Sequence, residues 1–368
     1  MGSIVSHLVA GLIGMIITVL FEEPLNRIKE RTLRLLKRLT YRPKYLSAPL
    51  NRFRFGNLIT PWIVLDGDGT FEYMPETIEC YYDPNKEDLP PDLLERKKQI
   101  QQQEQEKEQR GLPYRWNGRR YRLDKLVIGR TELEENLRLQ LYFGASDYYT
   151  FLAANMSLDE RTSFDEGNLT LREKYLQGVD WHKPAKFFSN AFGVNLAILT
   201  SDKYLIIAER SESVGSRPGQ FNISVNEGLS RDLDRGDQSD APDVYRCAIR
   251  GAIEELGIGL RRPEICFLSF GVDTQHSQWG LLGMARVDQR MDQILRMRGA
   301  GVKDKWENSK LHAVPFEIDA VIRFVLSNGP WAAAAPACIY HTLVHEFKRP
   351  KVDVAITKYS RKSSGAER

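Results

Sequence analysis

Apolar and polar positions fall into three regimes along this chain. The first is a continuous apolar run, Ile4 to Phe21 (IVSHLVAGLIGMIITVLF), without a single Lys, Arg, Asp or Glu. As a helix at about 1.5 Å per residue it would extend roughly 27 Å, enough to cross a thin hydrocarbon core. Behind it, Leu25, Ile28, Thr32, Leu35, Leu36 and Leu39 recur at helical spacing with Arg and Lys between them. That pattern predicts a helix lying on anionic lipid headgroups. The order, apolar run then basic segment, predicts a single-pass membrane anchor (1–24) with the C-terminal domains cytoplasmic. A cleaved signal peptide would carry basic residues ahead of the apolar run, and there are none. A buried core helix and N-myristoylation at MGSIVS are the remaining alternatives.

The second regime is mixed. Phe53 to Tyr82 holds strand-like runs such as Trp62-Ile63-Val64-Leu65 before Asp66-Gly67. Residues 84–111 are charged and then Gln-rich, which predicts a solvated helix or a disordered insertion. Asn117-Gly118, between aromatic and basic residues, predicts a type I′ hairpin. Arg138 to Phe143 alternates as a half-buried strand does.

From Gly193 the pattern sharpens. Val194 to Leu199 predicts a strand, Asp202-Lys203 a turn, and Tyr204 to Ala208 the hairpin partner. A loop rich in Gly, Ser and Asp follows from Ser211 to Asp240. Helical periodicity runs from about Asp243 to Leu256, with Asp240 and Pro242 as start signals and Gly257 as the stop. Strands are predicted at Ile265–Phe270 and Trp279–Ala285, a solvated helix face over Arg290–Arg298, and helices at Ile318–Leu326 and Ala332–Phe347. The residues after Pro350 predict a mobile basic tail.

Charge changes the picture by its location. The chain of 368 residues is 42% hydrophobic, 27% charged and only +3 in net charge. Residues 22–44 alone carry eight Lys/Arg against three Glu, or +5, which leaves −2 on everything after them. The body therefore offers no basic field, and no nucleic acid is expected as a partner. Cys80, Cys247, Cys266 and Cys338 are widely spaced, which argues against a structural zinc or a disulfide framework.

The chemistry-bearing string is Arg250-Gly251-Ala252-Ile253-Glu254-Glu255-Leu256-Gly257-Ile258. It resembles the end of the Nudix box, G-x5-E-x7-R-E-U-x-E-E-x-G-U with U aliphatic, and counting back places Gly236 at its first position. Ala208-Glu209-Arg210 before the box, Glu227-Gly228 in the preceding loop, and Trp306-Glu307 ahead of Val314-Pro315 add to the resemblance over about 140 residues. Two positions depart from the family pattern. Gly251 stands where the family has a Glu, and Pro242, beside Asp243, stands at the earlier Glu position.

The resemblance implies cleavage of the pyrophosphate bond of a nucleoside diphosphate linked to another moiety, with Mg²⁺ or Mn²⁺ neutralising the phosphates and activating water. It implies Glu254 and Glu255 as metal ligands, Arg250 as orienter of a carboxylate, and Glu307 as a positioner of water. Arg250 and Glu254, four apart, share a helix face. Glu227, Asp232, Asp234 or Glu307 are candidates to replace the carboxylate missing at Gly251. If none does, the chain is a nucleotide-binding sensor or effector at the membrane; a purely structural scaffold is the third reading.

Other constellations carry less. Asp66-Gly-Asp68-Gly-Thr70 resembles the DxDGT motif of haloacid dehalogenases, but the polar insertion that follows favours a hairpin turn. His341 and His345 have metal spacing without the Glu of a zinc protease, so ordinary histidines are expected. Asp273, His276 and Gln278 are read as pocket-lining or as a solvated loop.

The expected architecture is α+β: a Nudix-type α/β/α sandwich with a mixed sheet (181–350), preceded by the anchor (1–24), a basic juxtamembrane helix (25–45) and a small mixed α/β module with its polar insertion (46–180), and ending in a flexible tail (351–368). Oligomeric state is left open.

Overall fold

The computed structural model describes residues 52–85, 88–161, 169–211, 219–237, 239–299, 301 and 308–365. The expected anchor (1–24), the basic helix (25–45) and Glu307 lie outside them. Among the described residues no helix is long and apolar enough to cross a membrane.

The largest sheet has eight strands. β3 (Trp62–Asp66), β7 (Phe192–Leu199), β8 (Tyr204–Arg210), β11 (Ile265–Asp273), β12 (Gln278–Arg286) and β13 (Asn308–Pro315) run in the order β13-β8-β7-β12-β11-β3. Two short strands, β9 (Phe221–Ile223) on β8 and β10 (Val225–Gly228) on β7, complete it. β7 and β12 are parallel and the other pairs antiparallel, so the sheet is mixed. β1 (Arg54–Phe55) and β2 (Leu58–Ile59) form a small hairpin ahead of it.

β7 and β8 meet at one pair, Leu199 and Leu205, and then diverge. The β9–β10 segment fills the gap. Ser224, fully buried at the junction, holds both sides: its Oγ donates to the Ile206 carbonyl (2.5 Å) and accepts from the Ile198 amide (2.9 Å). A hydroxyl thus replaces ladder bonds the fork would leave unmade.

Side chains alternate across the sheet. Val194, Leu196 and Ile198 face one layer, where α4 (Val244–Leu256) contributes Ala248, Ala252 and Leu256. Ala197 and Leu199 face the other, against α6 (Ile318–Ser327), α7 (Ala335–Phe347) and α8 (Arg349–Gly365). This is a mixed sheet between two helical layers, as expected. α8 corrects the expectation of a mobile tail: Val352, Ala355 and Ile356 are buried in the second layer, and Lys358 pairs with Asp319 at 3.1 Å.

A second sheet is formed by β4 (Ile78–Asp83), β5 (Arg119–Arg130) and β6 (Leu137–Asp147), in the order β4-β6-β5. Its Tyr121, Leu139, Leu141 and Phe143 join the same core as α4. Asn117-Gly118 does not form the expected hairpin. Residues 112–116 before it pair with no strand; Asn117 Oδ1 instead accepts from the Tyr149 amide (2.8 Å), at the start of α2 (Tyr148–Ala154). The Gln-rich segment is a helix, α1 (Pro91–Gln109), mostly exposed but with Leu93 and Glu104 buried. Short α3 (Leu171–Tyr175) and α5 (Met291–Gly299), with Met291 and Ile294 buried, finish the inventory.

Candidate active site

The site is built on α4. The helix starts at Asp243, whose side chain accepts from the amides of Tyr245 (2.9 Å) and Arg246 (3.2 Å), satisfying donors that have no partner within the helix. It stops at Gly257, whose φ of 75° closes the last turn in the left-handed region. Asp243, and not Asp240 or Pro242, is therefore the start.

Arg250, at the middle of α4, is the hub. Its Nε and Nη2 donate to the two oxygens of Asp234 (2.9 and 2.8 Å), a two-pronged pair. Nη1 reaches Glu254 (2.8 Å) and Glu227 (3.1 Å), and Nη2 also donates to the Gly228 carbonyl (2.9 Å). Asp234 is fully buried and also accepts from the Ser230 amide (2.7 Å). One guanidinium thus fixes the loop before the helix, strand β10 and the helix itself.

Gly251 faces β10. A Cβ added there would stand 2.7 Å from Glu227 Cβ and 2.8 Å from Val225 Cγ1, closer than real Cβ contacts. The space that a helix side chain would need is filled by the stem of Glu227. The missing helix carboxylate and the strand carboxylate are thus two sides of one packing arrangement. Burial pushes the Glu227 carboxyl up to about 7; Arg250 opposes that shift and the neighbouring Glu254 adds to it.

Glu255 is buried and held from two sides. Its carboxylate accepts from the Asn226 amide (2.8 Å) and from Asn308 Nδ2 (3.2 Å). Asn308 Oδ1 is itself buried with no hydrogen-bond partner.

A cavity of about 230 Å³ opens beside these groups. Glu227 and Glu255 line it, with Arg120, Trp62, Asp273 and Trp279 among the other walls. Glu254 and Arg250 do not line it; Arg250 supports the Glu227 carboxylate as an ion-pair partner, and Glu254, itself paired with Arg250, opposes its charge. Gln278 also lines the cavity, whereas His276 sits behind Asp273 at 3.5 Å. Arg120, Trp62 and Trp279 carry no motif and were not legible as site residues. Glu227 had only the Glu-Gly pair as a signal.

The other constellations resolve into structure. Asp66 is tied to Arg130 (3.0 Å) and the Tyr73 hydroxyl (2.5 Å), and among the described residues no hairpin follows, because β3 pairs there with β11 alone. His341 is buried, its pKa pushed down to about 3 by burial, with Nδ1 2.6 Å from Ser269 Oγ. Asp232 pairs with Arg119, away from the cavity lining.

No family model matches the chain. Among curated proteins it is similar to the mouse uridine diphosphate glucose pyrophosphatase NUDT22, 25% identical over 118 residues. That stretch is 32% of this chain, and the chain spans about a third of that relative's length (34%). Solved structures that match part of the chain include DR0079 from Deinococcus radiodurans (12% identity, TM-score 0.29, 57% of this chain and 94% of that one). A MutT protein from Methanosarcina mazei Go1 matches at 14% identity and TM-score 0.27, over 43% of this chain and 96% of that one. The NUDIX domain of Shewanella oneidensis NrtR, solved with ADP ribose, matches at 15% and 0.28, over 46% and 94%.

Proposed function

We propose that the chain is a Nudix-type pyrophosphohydrolase that cleaves the pyrophosphate bond of a nucleoside diphosphate linked to another moiety. The observation that carries this reading is the exchange at Gly251: Glu227 fills the space of the absent helix carboxylate, so two carboxylates, Glu227 and Glu255, line one cavity.

Among the described residues no group of three His, Cys, Asp or Glu side chains is placed to enclose a metal ion. The donor set nonetheless fits Mg²⁺ or Mn²⁺. Mg²⁺ is commonly held by one or two carboxylates together with substrate phosphates, keeping several waters, rather than by an all-protein cage. Glu227 and Glu255 are the residues that would hold it, and the unpartnered Asn308 Oδ1 is a further oxygen beside Glu255. When bound, such an ion neutralises phosphate charge and acidifies water. Asn226 and Asn308 hold Glu255 in place, and Arg250 orients Glu227.

The absence of a three-carboxylate cluster among the described residues favours a second reading, a nucleotide-binding sensor without turnover. The test is product formation from UDP-glucose, ADP-ribose and related compounds with Mg²⁺ or Mn²⁺, using residues 51–368, a single compact unit. Glu255→Gln and Glu227→Gln are run beside it. Metal-dependent cleavage that either variant reduces at least a hundredfold supports the hydrolase. Absence of all cleavage, with one nucleotide still raising the melting temperature, retires it in favour of the sensor.

We further propose that residues 4–21 anchor this activity in a membrane, on the strength of their charge-free apolar run and the +5 segment behind it. Recovery of the full chain in the alkaline-carbonate supernatant of lysed cells would reject the anchor.

A further inference from the structure

The register of the large sheet places four glycines side by side. Gly228 on β10 pairs with Gly193 on β7, Gly193 with Gly280 on β12, and Gly280 with Gly271 on β11. A row without side chains therefore crosses four strands, or three strand spacings, roughly 14 Å. Its two ends differ in chemistry.

At the Gly228 end stand Glu227 and Arg120. A Cβ on Gly228 would come 3.5 Å from Arg120 Nη1, so the guanidinium lies over this end. Arg120 belongs to β5, outside the large sheet. It rests on the rings of Tyr148 (4.7 Å) and Phe151 (5.0 Å); among the described residues its guanidinium makes no hydrogen bond or close ion pair, and the Glu227 carboxylate attracts it from further off. Stacking on two rings fixes the plane and leaves the donor edge available.

At the Gly271 end lies Trp62. A Cβ on Gly271 would meet its indole Nε1 at 2.7 Å. Trp62 and Trp279 are each only 2% exposed, both line the cavity, and neither Nε1 has a hydrogen-bond partner. Two buried donors without acceptors are uncommon in a folded protein and point to an absent acceptor. Each loses its water on folding and recovers nothing unless a ligand oxygen or nitrogen arrives.

We propose that this glycine-floored trough is the substrate's seat, with Arg120 gripping the diphosphate beside Glu227 and the indole N–H groups of Trp62 and Trp279 donating to the acceptor-rich group beyond it. This rests on the reading of the cavity as a nucleotide site and adds the residues that select its ligand. Of the four glycines, Gly193 and Gly228 line the cavity, and there a ribose or sugar can lie close to the backbone; Gly271 is covered by the Trp62 indole. The ligand class is an elongated one, with two phosphates at one end and a polar moiety several ångströms away. A lone phosphate would leave the tryptophan donors unmet. The three-stranded sheet is thereby part of the site, because it delivers the phosphate-gripping cation.

The test is calorimetric binding of pyrophosphate and of UDP-glucose in EDTA, where metal-dependent turnover is blocked, with turnover measured separately in Mg²⁺. Arg120→Gln is expected to weaken both ligands about tenfold or more, as the loss of a charged, buried hydrogen-bonding group does. Trp62→Phe keeps the ring and removes one N–H; it is expected to weaken UDP-glucose about fivefold and leave pyrophosphate unchanged. Arg120→Lys, which keeps the charge over the rings but not the two-pronged donor, gives a smaller loss and serves if Arg120→Gln fails to fold. Wild-type protein that binds neither ligand, Arg120 variants that bind as the wild type does, or a Trp62→Phe loss equal for both ligands overturns the proposal. Absence of turnover in Mg²⁺ with these binding effects intact removes the hydrolase reading and leaves the seat standing.

Discussion

Gly251 is the residue on which the site turns. In an ordinary helix interior, Gly→Ala gains about 1 kcal/mol. Here the new Cβ would sit 2.7 Å from Glu227 Cβ and 2.8 Å from Val225 Cγ1, both on a strand fixed in the sheet. Gly251→Ala is therefore expected to destabilise by about 1–3 kcal/mol, the usual cost of overpacking, and to lower activity by displacing Glu227. Gly251→Glu, which restores the residue of the box pattern, is expected to lower turnover further instead of raising it. Chemical denaturation and turnover of both variants check this. Glu227 itself gives a pH signature. Burial holds its folded carboxyl up at about 7, above the ordinary 4.5 of a solvated glutamate. Between those values the folded state binds more protons than the unfolded one, so this contribution to stability is complete below about 4.5 and is lost as pH rises through 7. Glu227→Gln should flatten the fall in stability between pH 5 and 8, by an amount on the order of 2 kcal/mol. A wild-type and variant pair with parallel stability–pH curves would contradict the assignment. Arg250 and Glu254 were readable from spacing, because residues four apart on a helix must be neighbours. Glu227 was not readable as their partner, because its place depends on a strand–helix contact that no local period encodes.

At the scale of elements, the loop before α4 matters as much as the helix. Asp234 is fully buried, and its two oxygens take Nε and Nη2 of Arg250. Asp234→Ala leaves Arg250 buried with only its weaker partners, and breaking a buried pair on one side costs about 3–5 kcal/mol. A loss of that size in denaturant midpoint is expected, together with a fall in turnover, since Arg250 would no longer orient Glu227. A loss under 1 kcal/mol would mean the pair is dispensable. The strong periods of β7, β11, β12, α4 and α7 made these elements legible to within a few residues. β9 and β10 were read as loop because they are three and four residues long and fork between two strands, where Ser224 replaces part of the ladder. α8 was read as a tail because its composition is polar; its helix is held by three apolar residues, Val352, Ala355 and Ile356, a stripe too thin to stand out. Asn117-Gly118 misled because a turn dipeptide predicts a hairpin only where strands flank it on both sides.

For the whole molecule, the question is how the three-stranded sheet bears on a site built on another sheet. β3, from the first part of the chain, is the outer strand beside β11 and brings Trp62 to the cavity. From β6, Phe143 packs edge-on to Phe192 (5.2 Å), Phe192 stacks on Phe270 (6.1 Å), and Phe270 stacks on Trp279 (5.9 Å). Phe192 and Trp279 are themselves cavity walls. A continuous aromatic chain therefore runs from the second sheet to the trough, and residues 51–368 form one compact unit. Phe143→Ala removes the first ring of this chain from a fully buried position, at a cost of about 3–5 kcal/mol. If the two sheets unfold together, thermal unfolding of residues 51–368 stays a single transition that moves down as a whole. The proposed ligand seat also loosens, because Phe192 and Trp279 lose their backing. If they are separate bodies, a second, lower transition appears and binding survives above it. The shared core, in which Tyr121, Leu141 and Phe143 pack with Leu196, Ala248 and Phe267, favours the single transition. The N-terminal module then has a physical part in the proposed seat: it carries Arg120 on a strand whose position is set by the same side chains that set the walls of the cavity.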